Sequence, residues 1–298
     1  MNERRYVHYL RELFALVLLL FKLFIPASKS KILSIYFHNP SPKLFERIIN
    51  YLIDNNYTII SLKQFNDIID NKQLNEKIAV ITIDDGWQNN LQLLEIVRKY
   101  KVFITIFVTT SAIEQGNFWW EYVGIGKNQN KASIKREIIR IKKLNAKAFY
   151  FEISNLKSDI TIDRSVLTRE ELIKLSKNPF VTIGSHTVSH ISLSNKSFEV
   201  KKNELLDSKN TLEMWTGQRI IYFSYPFGDY TEELNKLAKE CGYKLCFTCE
   251  TSNLYSNRID RYSIPRRCVN DNAGFFEALS KIHGIWYKIK ELPWVHTN

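Results

Sequence analysis

The chain has 298 residues, 45% of them hydrophobic, enough for one large domain or two small ones with a sizeable core. A formal net charge of +11 favours acidic partners: anionic lipid headgroups, anionic glycans or nucleic acid. No helix-turn-helix, zinc-finger or RNA-recognition signature is present, which makes nucleic acid the weakest of the three. The four cysteines, Cys241, Cys246, Cys249 and Cys268, are too few for a disulfide framework in a chain this long. Cys246 and Cys249 have C-x-x-C spacing without a second pair or a nearby histidine, so buried thiols are expected rather than a zinc site.

Residues 1–30 differ from the rest. Arg4, Arg5 and Arg11 lead into an apolar segment, 13–25, broken only by Lys22, and Pro26 ends any helix there. The segment is shorter than the roughly 20 residues that span a bilayer comfortably. Its basic start and apolar middle match a signal peptide, yet Ile25 is bulky for the position two before Ala27. An anchor helix lying at the membrane or tilted into it, with Lys22 reaching back to the interface, and a buried soluble helix are the other readings. The expectation is an uncleaved segment, residues 1–27, that associates with a membrane, on a side left open.

From residue 31 strands and helices alternate. A strand over 32–37 ends in His38, Asn39 and Pro40, and a helix over 42–55 keeps Phe45, Ile49, Leu52 and Ile53 at helical spacing. A strand over 57–60 and a helix over 62–69 follow. The strand over 78–83 is apolar or β-branched throughout, as a buried strand should be, and stops at Asp84-Asp85-Gly86. A helix over 90–100 and a strand over 102–108 come next.

Residues 110–165 interrupt the rhythm and read as an insertion. They hold Phe118-Trp119-Trp120-Glu121-Tyr122, which suits a sugar-stacking surface and a core equally, and a helix over 133–144 with a solvated charged face. Alternation then resumes. Thr168 with Glu171 forms a capping box that opens a helix to Ser176. Strands are expected over 180–184, 220–224, 243–248 and 261–266, and helices over 198–215, 231–241 and 273–282. Roughly seven βα units argue for an α/β domain over 31–284, layered or barrel-like, followed by a tail, 285–298, without a clear assignment.

Two adjacent carboxylates at the end of a buried strand are costly unless a metal neutralises them or one shifts its pKa and serves as a base. His186 and His190 stand four apart just past the strand over 180–184, and in a parallel barrel such strand ends converge on one face. Two histidines and a carboxylate with an open position make a catalytic rather than a structural metal set. Asp85 can be the third ligand, leaving Asp84 free to take a proton from water. A third strand end supplies Tyr225-Pro226-Phe227-Gly228, where backbone N–H groups near Tyr225 can face an oxyanion.

These motifs resemble those of the polysaccharide deacetylases of carbohydrate esterase family four, the NodB-homology domain. The family's T-F-D-D-G stands here as Thr82-Ile83-Asp84-Asp85-Gly86, its H-S/T-x-x-H as His186-Thr187-Val188-Ser189-His190, and its aromatic-Pro-aromatic turn as Tyr225-Pro226-Phe227. The resemblance covers most of the chain. It implies a distorted (β/α)7 TIM-like barrel and metal-dependent hydrolysis of an N-acetyl group on a glycan. By position it implies Asp84 as general base, with Asp85, His186 and His190 as ligands of a divalent ion, usually Zn2+.

The third motif lacks its usual leading arginine; Phe223-Ser224 stand before Tyr225, a form similar to the branch acting on poly-N-acetylglucosamine and related surface glycans. Leu279 and His283 do not reproduce the C-terminal L-x-H that carries the general acid. In the surface-glycan branch the motif order is permuted, with a histidine on the first strand, so the resemblance implies His38 as the acid. Arg266, in Ile264-Pro265-Arg266-Arg267, resembles the arginine that steadies the catalytic aspartate, with Arg267 as the alternative. The expected activity is an N-acetyl-sugar deacetylase. A deformylase, an O-acetyl esterase and an inactive glycan-binding relative are the other readings, and the intact Asp84, Asp85, His186 and His190 weigh against the last. The sugar, its linkage, the metal and the oligomeric state are left open.

Overall fold

A computed structural model describes residues 3–21, 31–72, 74, 76–125, 130–158, 160–255 and 258–290. One parallel sheet organises them. Its strands are β1 (Ile32–Phe37), β2 (Tyr57–Ile59), β3 (Lys77–Ile83), β4 (Ile104–Val108), β5 (Val181–Ser185), β6 (Tyr222–Ser224), β7 (Leu245–Phe247) and β8 (Arg267–Cys268). They run in the order β7-β6-β5-β4-β3-β1-β8, and β2 pairs with the first half of β3. All of these pairs are parallel, as right-handed crossovers through helices require. The sheet is the wall of a distorted, incompletely closed (β/α)7 barrel.

The helices wrap its outside: α1 (Glu3–Phe21), α2 (Pro42–Asp54), α3 (Leu62–Asn71), α4 (Leu93–Tyr100), α5 (Thr110–Gln115), α6 (Trp119–Ile125), α7 (Lys131–Lys142), α8 (Ala146–Ser158), α9 (Arg169–Ser176), α10 (Phe198–Thr216), α11 (Glu232–Glu240), α12 (Phe275–Ile282) and α13 (Ile285–Lys290). The capping box of α9 forms as expected, with Thr168 and Glu171 bonding each other's backbone N–H. The insertion is a run of four helices, α5 to α8, between β4 and β5.

The two-residue period of the strands sorts side chains between two cores. Leu33, Ile35, Phe37, Ala79, Ile81 and Ile83 face outward and pack under α2 and α4. Ile32, Ile78, Val80, Phe107 and Phe247 face inward, with Phe65 of α3 in the same cluster. The inward series on β3 runs Ile78, Val80, Thr82 and then Asp84, so the pleat itself carries the first aspartate to the barrel interior. Phe107 sits opposite Gly184, where any Cβ would collide with its ring; glycine makes room for an aromatic inside the barrel.

Two expectations need correction, and the tail, left unassigned, gains a helix. The last strand is not 261–266. Pro265 has no N–H to give a ladder, Ile264 makes only an isolated bridge to Phe247, and β8 forms at Arg267–Cys268 against Ile35 and Tyr36. The helix expected over 90–100 begins as a 3₁₀ turn, Gln88–Gln92, before α4. The tail acquires α13 through Lys290, whereas 291–298 lie outside the described residues, as do 1–2 and the 22–30 stretch that holds Lys22, Pro26 and Ala27. Among the described residues no helix is long and apolar enough to cross a membrane. All four cysteines are free thiols, Cys241 and Cys246 buried.

Candidate active site

Asp84 lies at the buried end of β3, 2% exposed, and Arg266 meets it fork to fork. Guanidinium Nη1 donates to Oδ1 and Nη2 to Oδ2, each at 2.7 Å. Arg266 is 1% exposed, and its other donors are also used: Nε to the Thr248 carbonyl at 3.0 Å, Nη1 to Thr82 Oγ1 at 2.9 Å and Nη2 to Ser224 Oγ at 2.7 Å. Ser224 in turn donates to Asp84 Oδ2 at 3.2 Å. Tyr36 stacks under the guanidinium, 4.3 Å from ring centre. Burial pushes the Asp84 carboxyl up, and the charge and hydrogen bonds of Arg266 more than reverse it, so the group stays ionised below the usual carboxylate range. Arg267, the alternative, points elsewhere, to the Ile282 carbonyl and Asn253.

Asp85 faces the other way. Its Oδ2 accepts the Trp87 indole N–H at 3.0 Å, but buried Oδ1 has no hydrogen-bond partner. His190 Nε2 lies 3.3 Å and His186 Nε2 3.5 Å from that oxygen. His186 Nδ1 contacts the Ser224 carbonyl at 2.7 Å, which assigns its proton to Nδ1 and turns the Nε2 lone pair toward Asp85. Burial holds the His186 imidazole neutral down to about 4. One ligand atom from each of Asp85, His186 and His190 lies within 4.8 Å of the other two. Two imidazoles and an orphaned carboxylate oxygen, all buried, fit a divalent metal: the cation would supply the missing partner of Oδ1.

The loop that carries both histidines is held from two sides. Its Thr187 and Val188 carbonyls accept from Thr110 and Ser111 at the start of α5, at 3.3 and 2.9 Å. Its Val188 and Ser189 N–H groups donate to Glu204 Oε2 on α10 at 2.8 and 3.0 Å. Glu204 Oε1 also accepts from the Ser189 hydroxyl at 2.5 Å and from Tyr150 of α8 at 2.6 Å. The backbone is strained where it matters: Asp85, Thr187, His190 and Phe227 all have positive φ, of 78°, 67°, 53° and 62°. Such residues cost roughly 1–3 kcal/mol each and persist only where surroundings over-determine them. Gly86, at φ 94°, completes the turn after Asp85 at no such cost.

His38 follows β1 directly, and Phe37 on that strand pairs with Ile83, so His38 comes out level with Asp84. Protonated, it would lower the pKa of both carboxyls. Asn90 Nδ2 fixes the strand end by donating to the His38 carbonyl at 3.0 Å. His283, by contrast, caps α12 and bonds Tyr51 at 2.5 Å. The Tyr225 N–H expected to face an oxyanion is spent on the Phe247 carbonyl at 3.0 Å, because the β6–β7 ladder runs one residue further than the motif suggests. Pro226 has no N–H, and the Tyr225 hydroxyl donates to Asn235. Phe227 does reach the site, its ring edge-on to His190 at 4.8 Å.

The aromatic cluster of the insertion divides. Phe118, Trp119 and Tyr122 are buried, while half-buried Trp120 lies edge-on to His190 at 4.6 Å and stacks on Phe118 at 4.5 Å. A cavity of about 310 Å³ opens beside the histidine loop, lined among others by Trp119, Tyr150, Lys157, Ser189 and His190. Sequence reasoning missed Glu204, Ser224 and Trp87. Trp87, two after Asp85, is the one whose proximity was a readable signal.

The family model for polysaccharide deacetylases matches residues 71–246, more than half of the chain. That stretch contains Asp84, Asp85, His186, His190 and Tyr225, and leaves His38 and Arg266 outside. The chain is 25% identical over 210 residues to a putative polysaccharide deacetylase, YxkH, of Bacillus subtilis, covering 70% of this chain and 58% of that protein. It is 26% identical over 172 residues to a peptidoglycan-N-acetylglucosamine deacetylase of Bacillus cereus, covering 57% of this chain and 55% of the relative. The chain thus spans somewhat more than half the length of the curated relatives it matches. Among solved structures, the Streptococcus pyogenes deacetylase PplD in complex with acetate superposes with a TM-score of 0.60 at 21% identity, over 84% of this chain and 96% of that one.

Proposed function

This chain belongs to the polysaccharide deacetylase family, and on that premise we propose that it hydrolyses the N-acetyl amide of a glycan with a divalent metal, Zn2+ by ligand type, held by Asp85, His186 and His190. The observation that carries the reading is the orphaned Asp85 Oδ1 facing two imidazoles, one residue from a carboxylate that an arginine keeps ionised. A cation bound there supplies Lewis-acid polarisation of the carbonyl and lowers the pKa of water toward about 7.

The chain's own groups do the rest. A carboxylate offers about four lone-pair sites. Arg266 and Ser224 occupy three on Asp84 and leave one on Oδ1 to take the proton of the attacking water. The depressed pKa makes Asp84 a weak base, suited to an acidified water rather than a free one. As the water oxygen bonds to the carbonyl carbon and the C–N bond breaks, His38 protonates the leaving nitrogen. Acetate and an amine are released. Trp120 and Phe227, both edge-on to His190, are the aromatic side chains a sugar ring would meet there.

The test is acetate release from N-acetylglucosamine oligomers and from peptidoglycan, after chelation and again with Zn2+ restored. Release only with metal is expected; equal release in chelator would overturn the metal reading, and no release from either substrate with metal bound would overturn the N-acetyl reading. His38→Ala should lower amide turnover by roughly 10²–10⁴-fold and spare an activated aryl ester, whose phenolate leaves unaided. Equal losses on both substrates would remove His38 from the role of acid.

A further inference from the structure

Helix α1 meets the barrel through Arg11, Glu12, Ala15 and Leu19 and turns a long apolar stripe outward, where a helix packed on a soluble domain usually shows polar residues. Glu12 is spent on the barrel. Its carboxylate accepts from the N–H groups of Phe276 and Glu277, at 3.1 and 2.9 Å, and so caps α12, whose own N-cap, Gly274, offers no side chain. A Cβ at Gly274 would collide with that carboxylate. Arg11 pairs with the fully buried Glu277, which Lys281 also reaches at 2.7 Å. Ala15, one turn further on, is buried.

The opposite face is open. Tyr6, Leu10, Leu13, Val17 and Leu20 succeed one another at steps of four and three and are 53%, 47%, 60%, 40% and 58% exposed. Tyr9 and Phe14 widen the stripe. Soluble surfaces seldom leave so continuous an apolar band in water.

We propose that this stripe lies in the surface of an anionic bilayer, with α1 parallel to the membrane and the barrel docked on its back. Charge selects the occupant. The chain carries +11, Arg4 and Arg5 open the helix, and Lys22 follows it. The acidic residues of α1 are Glu3 and Glu12, and Glu12 is consumed by α12. A second copy seated on the stripe would bring two strongly cationic chains together with little acid between them. An anionic headgroup layer provides the missing counter-charge. The midpoint of the helix, Arg11 and Glu12, is tied to protein, which keeps α1 on the membrane rather than through it. The inference stands independently of the catalytic reading.

The test uses the full-length chain with phosphatidylcholine vesicles and with vesicles enriched in phosphatidylglycerol. Sedimentation with the anionic vesicles, weakened by salt and released by alkaline carbonate, is expected. The triple variant Leu10→Ser, Leu13→Ser, Val17→Ser alters exposed positions only, so it should keep the wild-type circular dichroism and melting temperature while vesicle binding falls roughly tenfold or more. Wild-type protein that stays in the supernatant with both vesicle types would overturn the proposal, as would a folded triple variant that binds as well as wild type. A carbonate-resistant pellet would replace the in-plane helix with a spanning one. A lipid-independent dimer abolished by the triple substitution would name a second copy as the occupant instead.

Discussion

The two carboxylates at the end of β3 are chain neighbours with opposite surroundings. Asp84 faces the barrel interior, where Arg266 and Ser224 satisfy it and an aromatic wall of Tyr36, Phe107 and Phe247 surrounds the guanidinium. Asp85 faces the mouth, where one oxygen has no partner and two imidazoles crowd it. A positive φ at Asp85 and Gly86 makes the divergence possible, because an extended continuation of the strand would not turn the second carboxylate away so sharply. The lesson is that a buried charge can be made stable or made receptive, and that adjacent residues can be assigned one state each. The interior side needs nothing further; the mouth side leaves one oxygen that a cation could meet.

The comparison is broken most severely by exchanging what the two groups can do. Asp84→Asn should retain metal by elemental analysis and lose acetate release by roughly 10²–10⁴-fold, the range for a lost general base. Asp85→Ala should lose the metal itself in calorimetry. If both variants kept metal and activity together, the division of labour would be wrong.

Stability should divide the same way. Arg266→Met leaves the Asp84 charge buried and unpaired, at a cost of about 3–5 kcal/mol in urea unfolding. Adding Asp84→Asn to the same chain should recover most of it. Asp85→Asn should leave the metal-free protein within about 1 kcal/mol of wild type, since asparagine tolerates a positive φ and the lost oxygen had no partner. A large loss for Asp85→Asn and none for Arg266→Met would invert the picture.

Acid should reach the mouth before the interior. The His186 imidazole titrates near 6.5 when unfolded and about 4 when folded. Between those values the unfolded chain binds a proton that the native state refuses, so the metal-free protein should lose about 3 kcal/mol as pH falls through that window. The Asp84 carboxyl is depressed from 3.8, and its contribution is present above that value and lost only as pH falls below it. Melting temperatures across this range, with His186→Gln as the control, check the order; a flat profile between pH 6.5 and 4 would refute it.

The smallest expected effect comes from the brace. Glu204→Ala releases the Val188 and Ser189 amides and the Tyr150 hydroxyl without touching a ligand atom. Metal affinity should weaken by roughly 10–100-fold, as for other groups that orient ligands. Unchanged affinity in calorimetry would mean that α5 alone holds the loop.

Much of this site could be read before folding because its chemistry is local in sequence. Asp84-Asp85-Gly86 and His186 with His190 each sit within one turn of a strand end, and the alternating βα pattern brings strand ends together. Arg266 was recognisable only by likeness, since nothing near Pro265 signals that its neighbour crosses the barrel. Glu204 was hidden for a related reason: it acts on backbone amides of a distant loop, and amides have no residue identity to betray them. The misplaced last strand and the occupied Tyr225 N–H share another cause. Ladder registers depend on which neighbour arrives beside the strand, and a short run of apolar residues does not encode its neighbour's offset.

The Asp84–Arg266 fork joins residues 182 positions apart, and the arginine directly precedes the last strand to be made. Strands β1 to β7 can emerge from the ribosome and pair while the central carboxylate still has no counter-ion. Until Arg266 arrives, burying Asp84 means burying a bare charge or taking up a proton, which works against final closure. Completion of the barrel and pairing of the Asp84 carboxylate thus coincide. A product that stops short of Arg266 lacks this counter-ion and should keep Asp84 in water and the interior open.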